Sequence, residues 1–234
     1  MNLPPEVLSW LEADDEDLPK VQNMLLDAAA KAFTVYGFAA ASIDVIAREI
    51  NATKGSVYYH YRSKAELFFA VHKRAMLINL RTQLPIVSNT RLSPLEMLHE
   101  MTYHHAMVMM DYLYYQRVTV QGVELHQSIS TTPYEREALT QVIAMRDAYE
   151  SLFDQVVHEG VMRGQFEVID ASVASKGILG SLNWITMWYR PRDGELPSAK
   201  QRIAKQLAQQ VTHGVAAQAA SSAHGDTRRN KAKV

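Results

Sequence analysis

Residues 42–64 read Ser-Ile-Asp-Val-Ile-Ala-Arg-Glu-Ile-Asn-Ala-Thr-Lys-Gly-Ser-Val-Tyr-Tyr-His-Tyr-Arg-Ser-Lys. The first part of this stretch repeats apolar residues at helical spacing, at Ile43, Ile46, Ala47 and Ile50. Ser42 and Thr53 each precede a helical run, where a side-chain oxygen can accept a hydrogen bond from an orphan amide of the first turn. Asn51 tolerates the left-handed conformation at a helix end. The stretch therefore predicts two short helices joined by a tight turn.

The second of these helices has one face suited to a core and another suited to a ligand. Val57 and Tyr61 are four residues apart and can face the core. The side chains predicted to point outward are Ser56, Tyr58, Tyr59 and His60. Ser63 and Glu66 form a predicted capping box for a third helix.

Positive charge collects around these helices. Residues 48–74 carry six basic and two acidic side chains. Lys54 and Lys64 lie in first helical turns, where a cation opposes the helix dipole unless phosphate oxygens are bound there. The pattern favours insertion of the second helix into a DNA major groove.

Residues 20–74 resemble the DNA-binding domain of TetR-family transcriptional repressors. The resemblance lies in Leu-Asp-Ala-Ala-Ala-Lys-Ala-Phe-Thr-Val-Tyr-Gly, residues 26–37, and Lys-Gly-Ser-Val-Tyr-Tyr-His-Tyr-Arg-Ser-Lys-Ala-Glu-Leu, residues 54–67. It implies contacts to the DNA backbone from Ser42, Thr53, Ser56, Tyr59, His60 and Lys64. It implies base-edge contacts from Lys54, Gly55 and Tyr58. Two departures are Asn51, where the family most often has glycine, and Asp44, a negative charge where DNA-facing residues are common.

Composition limits the class of protein. The chain has 234 residues, is 47% hydrophobic, carries a net charge of −1 and contains no cysteine. It can bury a sizeable core, and any affinity for DNA must come from a local patch rather than from the net charge. Disulfides and thiolate metal sites are excluded. No apolar run approaches the roughly 20 residues of a membrane span, and no signal peptide is visible, so we expect a cytoplasmic protein that does not enter membranes.

Four segments are predicted. Residues 1–18 form an acidic extension with six acidic and no basic side chains. We expect it to be solvated, with a short helix around residues 7–11 and no contact with DNA. Residues 19–66 form the helix–turn–helix domain, 67–219 a helical domain for ligand binding and dimerisation, and 220–234 a disordered basic tail. The fold class is therefore all-α.

The helix boundaries follow from proline and periodicity. The first helix should end near Gly37 and bury Val21, Leu25, Ala28, Ala32 and Phe33. A linking helix should run from Lys64 to about Leu84, stopped by Pro85, and Pro94 should begin another that breaks near residues 110–115. Pro133 restarts a long helix through Arg163. A turn resembling the family's leads into two last helices, at 171–189 and 198–219.

Those last two helices are the predicted dimer interface. Gly177 and Gly180 lie on a small-residue side of the first, and Ile203, Leu207 and Val211 form an apolar stripe on the second. In the family these helices pair with their copies, and a two-fold operator requires a two-fold protein. The alternative is that both helices pack into an intramolecular core.

A second site is expected for an effector. The middle of the chain is rich in methionine and tyrosine, which suit an apolar cavity. Asn183, Trp184, Trp188, Tyr189, Arg190 and Pro191 resemble a pattern of the TetR branch regulating fatty-acid, branched-chain and sterol catabolism, some of whose members sense acyl-coenzyme A. The predicted pocket residues are Met101, Met145, Trp184, Trp188 and Arg190. The alternative is that these aromatics pack the dimer interface and that Arg190 pairs with Asp193 or Glu195.

The predicted function is a homodimeric repressor that binds double-stranded palindromic operator DNA and leaves it when a small hydrophobic effector binds. An acyl-coenzyme A is one candidate effector, and no cofactor is expected. The alternative is a regulator of the same fold sensing another hydrophobic or aromatic compound, as in efflux control. An enzyme lacks an activated nucleophile, since only His126 lies near Ser128 and Ser130. His99, His104, His105 and His126 lack a chelating spacing, so no metal site is expected. A helical adaptor is disfavoured by the intact recognition helix.

Overall fold

The architecture is all-helical, as the sequence predicts. A computed structural model of the chain describes residues 3–13, 18–121 and 132–217. The helices in these ranges are α1 Pro5–Ala13, α2 Lys20–Ala40, α3 Ile43–Glu49, α4 Lys54–His60, α5 Lys64–Val87, α6 Pro94–Asp111, α7 Leu113–Gln121, α8 Pro133–Met162, α9 Ala171–Asn183, α10 Ile185–Trp188 and α11 Pro197–Val215. The predicted tail at 220–234 lies outside the described residues.

Helices α2, α3 and α4 form a compact bundle against the start of α5. The N-caps act as predicted: Ser42 Oγ accepts from the Val45 amide and Thr53 Oγ1 from the Ser56 amide, both at 3.2 Å. Asn51 has a φ of 54°, the left-handed conformation expected between α3 and α4. Val57 is fully buried, so the remaining faces of α4 are left for solvent or a ligand.

The first helix of this bundle differs from the prediction at both ends. Val21 is 46% exposed and does not join the core, because α2 only enters the bundle from Leu25 onward. Gly37 has a φ of 75°, so the helical path is interrupted after Tyr36, and a further turn reaches Ala40. The interruption leaves carbonyl oxygens at the end of α2 without helical partners.

Helix α5 connects this bundle to the rest of the protein. The prediction that Pro85 stops it is wrong, since α5 continues to Val87 with Pro85 inside its last turn. Proline has no backbone N–H, so Pro85 removes one helical hydrogen bond. The helix tolerates this loss because it ends only two residues later. Ser63 Oγ accepts a hydrogen bond from the backbone amide of Glu66, as predicted. The second bond of the predicted capping box differs, because the Glu66 carboxylate accepts from the backbone amide of Arg62 rather than from that of Ser63.

Helices α6 to α8 pack around α5. Ser93 with Glu96 and Thr132 with Glu135 form capping boxes immediately before Pro94 and Pro133, which is why α6 and α8 begin at those prolines. The predicted break near residues 110–115 is confirmed at Tyr112. These helices surround a methionine-rich core that includes Met97, Met101 and Met145.

The end of α8 turns sharply into α9. A Cβ at Gly160 would lie 2.0 Å from Cδ2 of Phe166, so only glycine admits that ring. Phe166 forms an isolated bridge with Ala216, which places the end of α11 beside this turn. The helix predicted over 171–189 is interrupted at Trp184, and the one predicted over 198–219 has its helical end at Val215, because Ala216 is extended.

The short helix predicted in the N-terminal extension is confirmed as α1, but the prediction that it is solvated is wrong, because one face of α1 is part of the core. Leu3 is 8% exposed and Val7 is fully buried, in a cluster with residues of α5 and α8. Arg81 Nη2 donates to the Leu11 carbonyl at 3.0 Å and holds the last turn of α1 against α5. The acidic residues 14–17 lie outside the described ranges.

Candidate DNA-binding surface and effector cavity

Helix α4 presents a polar and aromatic face opposite Val57. Tyr59 is 85% and Tyr58 44% exposed, and Thr53, Lys54 and Gly55 are exposed beside them. Ser56 and His60 are half-buried at the sides of this face. The His60 ring lies 3.4 Å from Gln22 Nε2 of α2. The structure therefore brings together on α4 all but two of the residues predicted to contact DNA; Ser42 caps α3 and Lys64 opens α5.

Asp44 has a partner that the sequence did not reveal. Its Oδ2 lies 3.2 Å from Lys54 Nζ, and both side chains are more than half exposed. Such an exposed pair contributes at most about 1 kcal/mol, so it does not prevent Lys54 from reaching another anion. The carboxylate holds the lysine beside the first turn of α4.

Lys64 is not a free cation. Its Nζ donates to the carbonyls of Phe38 at 2.7 Å, Ala39 at 3.1 Å and Ala41 at 3.0 Å, and lies 4.5 Å from the centre of the Phe38 ring. An ammonium has three N–H donors, and all are engaged. The predicted phosphate contact is therefore replaced by a clamp between α5 and the end of α2. The interruption at Gly37 was the sequence signal for it.

A cavity of about 300 Å³ opens among α5, α6, α7, α8 and α9. Its apolar wall includes Met76, Met109, Val120 and Leu179. Its polar wall includes Asn79, His105, Gln116, Thr119, Tyr149 and Asn183, and its charged side chains are Arg146, Asp147, Glu150 and Lys176. Arg146 and Asp147 are exposed, and Lys176 is paired with Glu150, so the charge lies at the mouth.

Buried side chains of the polar wall are hydrogen-bonded to one another. The side-chain amides of Asn79 and Gln116 exchange two hydrogen bonds, of 3.2 and 2.9 Å, which join α5 to α7. His105 lies 2.7 Å from the Tyr149 hydroxyl and 3.2 Å from Asn183 Oδ1. Burial lowers the pKa of His105 to about 4, against the raising effect of the Asn183 bond, so the ring is neutral near pH 7.

None of the five residues predicted to form the pocket lines this cavity. Met101 and Met145 are fully buried in the core, whereas Trp184 is 61% and Trp188 46% exposed. Arg190 is exposed and donates to the carbonyls of Met187 and Tyr189, both at 2.9 Å, rather than pairing with an acid. The interruption at Trp184 accounts for the two tryptophans, because it turns residues 184–188 out of the line of α9.

The two faces predicted for dimerisation differ. Gly177 and Gly180 are exposed with open space above them, and the exposed apolar residues on or beside α9 and α10 are Ile169, Val173, Trp184, Met187 and Trp188. Ile203, Leu207 and Val211 are only half-exposed, because each also packs against the chain's own core. The described residues contain no group of three acidic or histidine side chains able to hold a metal, and no described helix could cross a membrane.

The fold and this surface are those of a helix–turn–helix regulator. A family model described as "Tetracyclin repressor-like, C-terminal domain" matches residues 91–215, and one described as "Bacterial regulatory proteins, tetR family" matches residues 25–71. The chain belongs to the TetR family of transcriptional regulators, which bind DNA and are not enzymes.

Three individual relatives are distant but match along most of the chain. It is 22% identical over 197 residues to the uncharacterized regulator YhgD of Bacillus subtilis, covering 84% of this chain and 97% of YhgD. The crystal structure of PfmR from Thermus thermophilus matches with a TM-score of 0.68 and 25% identity, over 81% of this chain and 97% of PfmR. AibR, solved in complex with isovaleryl coenzyme A and operator DNA, matches with a TM-score of 0.65 and 21% identity, over 82% and 96%.

Proposed function

We propose that this regulator is a homodimeric repressor that binds a palindromic operator and is released from it by a small hydrophobic effector bound in the cavity. The observation that carries the proposal is that two helices of the cavity wall, α5 and α7, also contact the DNA-binding bundle. Helices α5 and α7 supply Asn79 and Gln116 to the cavity wall. The same α5 begins at the clamp to α2, and Tyr115 of α7 bonds Asp27 of α2 at 2.8 Å. A ligand that moves either helix therefore acts directly on the DNA-binding bundle.

The proposed DNA contacts are those of the α4 surface. Lys54, Gly55 and Tyr58 would meet base edges, and the backbone contacts would come from Ser42, Thr53, Ser56, Tyr59 and His60. Phosphate contacts position the protein and base contacts specify the sequence. Lys64 positions the bundle through its clamp.

Dimerisation is proposed through the face of α9 and α10 around Gly177 and Gly180. The absence of side chains there admits close approach of a second helix, and exposed Val173, Trp184 and Trp188 supply apolar area. Half-exposed Ile203, Leu207 and Val211 would contribute their remaining surface. A two-fold dimer sets the spacing of two recognition helices for successive major grooves.

For the effector, an acyl-coenzyme A remains the first candidate, on different residues from those predicted. The acyl group would lie among Met76, Met109 and Leu179, and phosphates would meet Arg146 or Lys176 at the mouth. The AibR complex supports this choice, since that protein holds a short branched acyl thioester within the same fold. The alternative is another hydrophobic or aromatic compound of similar size.

The test begins with the operator, isolated by selecting genomic DNA fragments that the purified protein retains. Acyl-coenzyme A thioesters of increasing chain length are then titrated against the fluorescent operator duplex, beside free fatty acids and free coenzyme A. If an effector lowers the affinity for the operator, linkage requires that the operator lower the affinity for the effector by the same factor. Release by thioesters alone supports the candidate, whereas release only by unrelated hydrophobic compounds supports the alternative. A protein that retains no specific DNA contradicts the proposal.

A further inference from the structure

A chain of four hydrogen-bonded side chains crosses the wall of the cavity. Gln83 Nε2 lies 3.2 Å from the Tyr149 hydroxyl, which lies 2.7 Å from His105 Nδ1, and His105 Nε2 lies 3.2 Å from Asn183 Oδ1. The four residues come from α5, α8, α6 and α9 respectively. Gln83, His105 and Tyr149 are buried, so water does not compete for these bonds.

The chemistry of the groups sets the direction of every bond. An amide oxygen only accepts, so His105 Nε2 must carry the hydrogen that Asn183 Oδ1 receives. Because the buried ring is neutral, its Nδ1 has no hydrogen and accepts from the Tyr149 hydroxyl. The Tyr149 oxygen in turn accepts from Gln83 Nε2. With the oxygen of Asn183 towards His105, the amide nitrogen of Asn183 points away from the ring.

The Asn183 amide nitrogen is the one amide nitrogen of this wall, among the described residues, with both N–H donors unused. Asn183 lines the cavity, and its Nδ2 has no hydrogen-bond partner in the part of the chain that the structure describes. The other two amides, of Asn79 and Gln116, are bonded to each other and keep one N–H each. The cavity therefore offers N–H donors beside methionine and leucine side chains, while its charged groups lie at the mouth.

We propose that Asn183 determines effector specificity by donating a hydrogen bond to the uncharged carbonyl oxygen of a hydrophobic ketone, ester, amide or thioester. The proposal rests on the proposed function in taking this cavity as the effector site. An uncharged carbonyl satisfies the donor without a large desolvation penalty. A hydrocarbon offers this donor no acceptor and therefore binds more weakly than a carbonyl compound of the same length. A carboxylate must shed its water, and of the two cationic side chains of the cavity Lys176 is already paired with Glu150 and Arg146 is exposed at the mouth.

The probes for the test are 2-octanone, octane and octanoate, which share one chain length. The full-length protein is titrated with each probe at pH 7.5, and the side-chain amide resonances of Asn183 are followed by NMR. We expect saturable shifts of the Asn183 Nδ2 protons with 2-octanone alone. We also expect 2-octanone to bind about tenfold more tightly than octane or octanoate, the factor that corresponds to 1.4 kcal/mol.

The decisive variant is Asn183→Asp, which keeps an oxygen for His105 but replaces the N–H donors by a second acceptor. It should lose the preference for 2-octanone over octane. Asn89→Asp makes the same chemical change at an exposed position outside the cavity and should retain that preference. The wild-type resonances decide the question even if Asn183→Asp does not fold.

Several outcomes would overturn the proposal: equal binding of ketone and hydrocarbon, tighter binding of octanoate, no saturable binding of any probe, or an unchanged preference in Asn183→Asp. Failure of the repressor function would look different. A ketone preference without any release of operator DNA would leave the specificity site standing and contradict the effector role. If octane released the operator as readily as 2-octanone, the effector role of the cavity would stand and the specificity role of Asn183 would be contradicted.

Discussion

The hydroxyl of Tyr115 donates a hydrogen bond of 2.8 Å to a carboxylate oxygen of Asp27, and so joins α7 to the first helix of the DNA-binding bundle. Burial and the neighbouring carboxylate both raise the pKa of Tyr115, so the hydroxyl remains a donor at any physiological pH. The residues on either side extend this arrangement. The Tyr114 carbonyl accepts from Thr34 of α2, Gln116 faces the cavity, and Arg117 donates to the Thr186 and Tyr189 carbonyls at α10. Consecutive residues of α7 thus contact the DNA-binding bundle, the cavity and the proposed dimer face.

Replacement of Tyr115 by Phe should weaken this connection. We expect the free energy of unfolding in urea to fall by about 2 kcal/mol, the contribution of a hydrogen bond to a charged group. Tyr112→Phe alters an exposed tyrosine about one turn earlier and should leave the free energy of unfolding unchanged. The link between α7 and α2 would be energetically unimportant if both variants behaved alike.

Substitutions on α4 and at the start of α5 should affect DNA binding in two different ways. Lys54→Ala and Tyr58→Ala are expected to reduce the preference for operator over random DNA, because base contacts specify. Lys64→Ala should weaken binding to both DNAs about equally and lower the melting temperature, because its clamp on α2 is lost. The slope of log affinity against log salt should stay unchanged for Lys64→Ala; a flattening by ~0.9 would instead reveal a phosphate contact.

A charge on the α9 face should prevent dimerisation without harming the protomer. Val173 is 66% exposed, so Val173→Asp should change protomer stability by no more than about 0.5 kcal/mol. Sedimentation should then show monomers, with operator binding lost. Ile143→Asp, at an exposed position on α8, should remain dimeric. Leu207→Glu is a poorer test, since Leu207 also packs in the protomer's core. A Val173→Asp dimer at micromolar concentration would contradict the assigned interface.

The docked helix α1 should contribute to stability through one face only. Val7→Ala removes a fully buried side chain and should lower the free energy of unfolding by roughly 2 kcal/mol. Leu8→Ala, on the same helix but 43% exposed, should lower it by less than about 0.5 kcal/mol. Urea denaturation monitored by circular dichroism distinguishes the two. Equal, small effects would mean that α1 does not stay packed in solution.

Stability should fall in mild acid because of His105. The unfolded chain protonates this residue near its ordinary pKa of 6.5, whereas the buried ring resists protonation until about pH 4. The unfolded state therefore binds more protons between these values, and His105 alone should remove about 3 kcal/mol as pH falls from 6.5 to 4. His105→Gln should show a shallower decline in unfolding free energy between pH 7 and 5. A decline identical to the wild type's would show that His105 is not buried and neutral.

The exposed face of α4 could be predicted from the sequence because its determinants are local. Ser42, Thr53 and Asn51 set the ends of two helices through bonds and conformations that involve residues at most a few positions away. Once those ends are set, helical periodicity decides that Val57 is buried and that Tyr58 and Tyr59 are exposed. The family resemblance of residues 20–74 follows from the same short-range pattern.

The cavity could not be predicted in this way, because five helices supply its wall. Whether Met101 lines a cavity or fills the core depends on how α6 is rotated against α5 and α8, and periodicity alone does not determine that rotation. The interruption at Trp184 then turned the expected pocket residues outward, while Asn183, one position earlier, remained in the wall. Local hydrogen bonds and helical spacing thus determined the recognition helix from the sequence. Packing between residues as distant as His105 and Asn183 decided the cavity, since only the tertiary structure places their side chains within 3.2 Å.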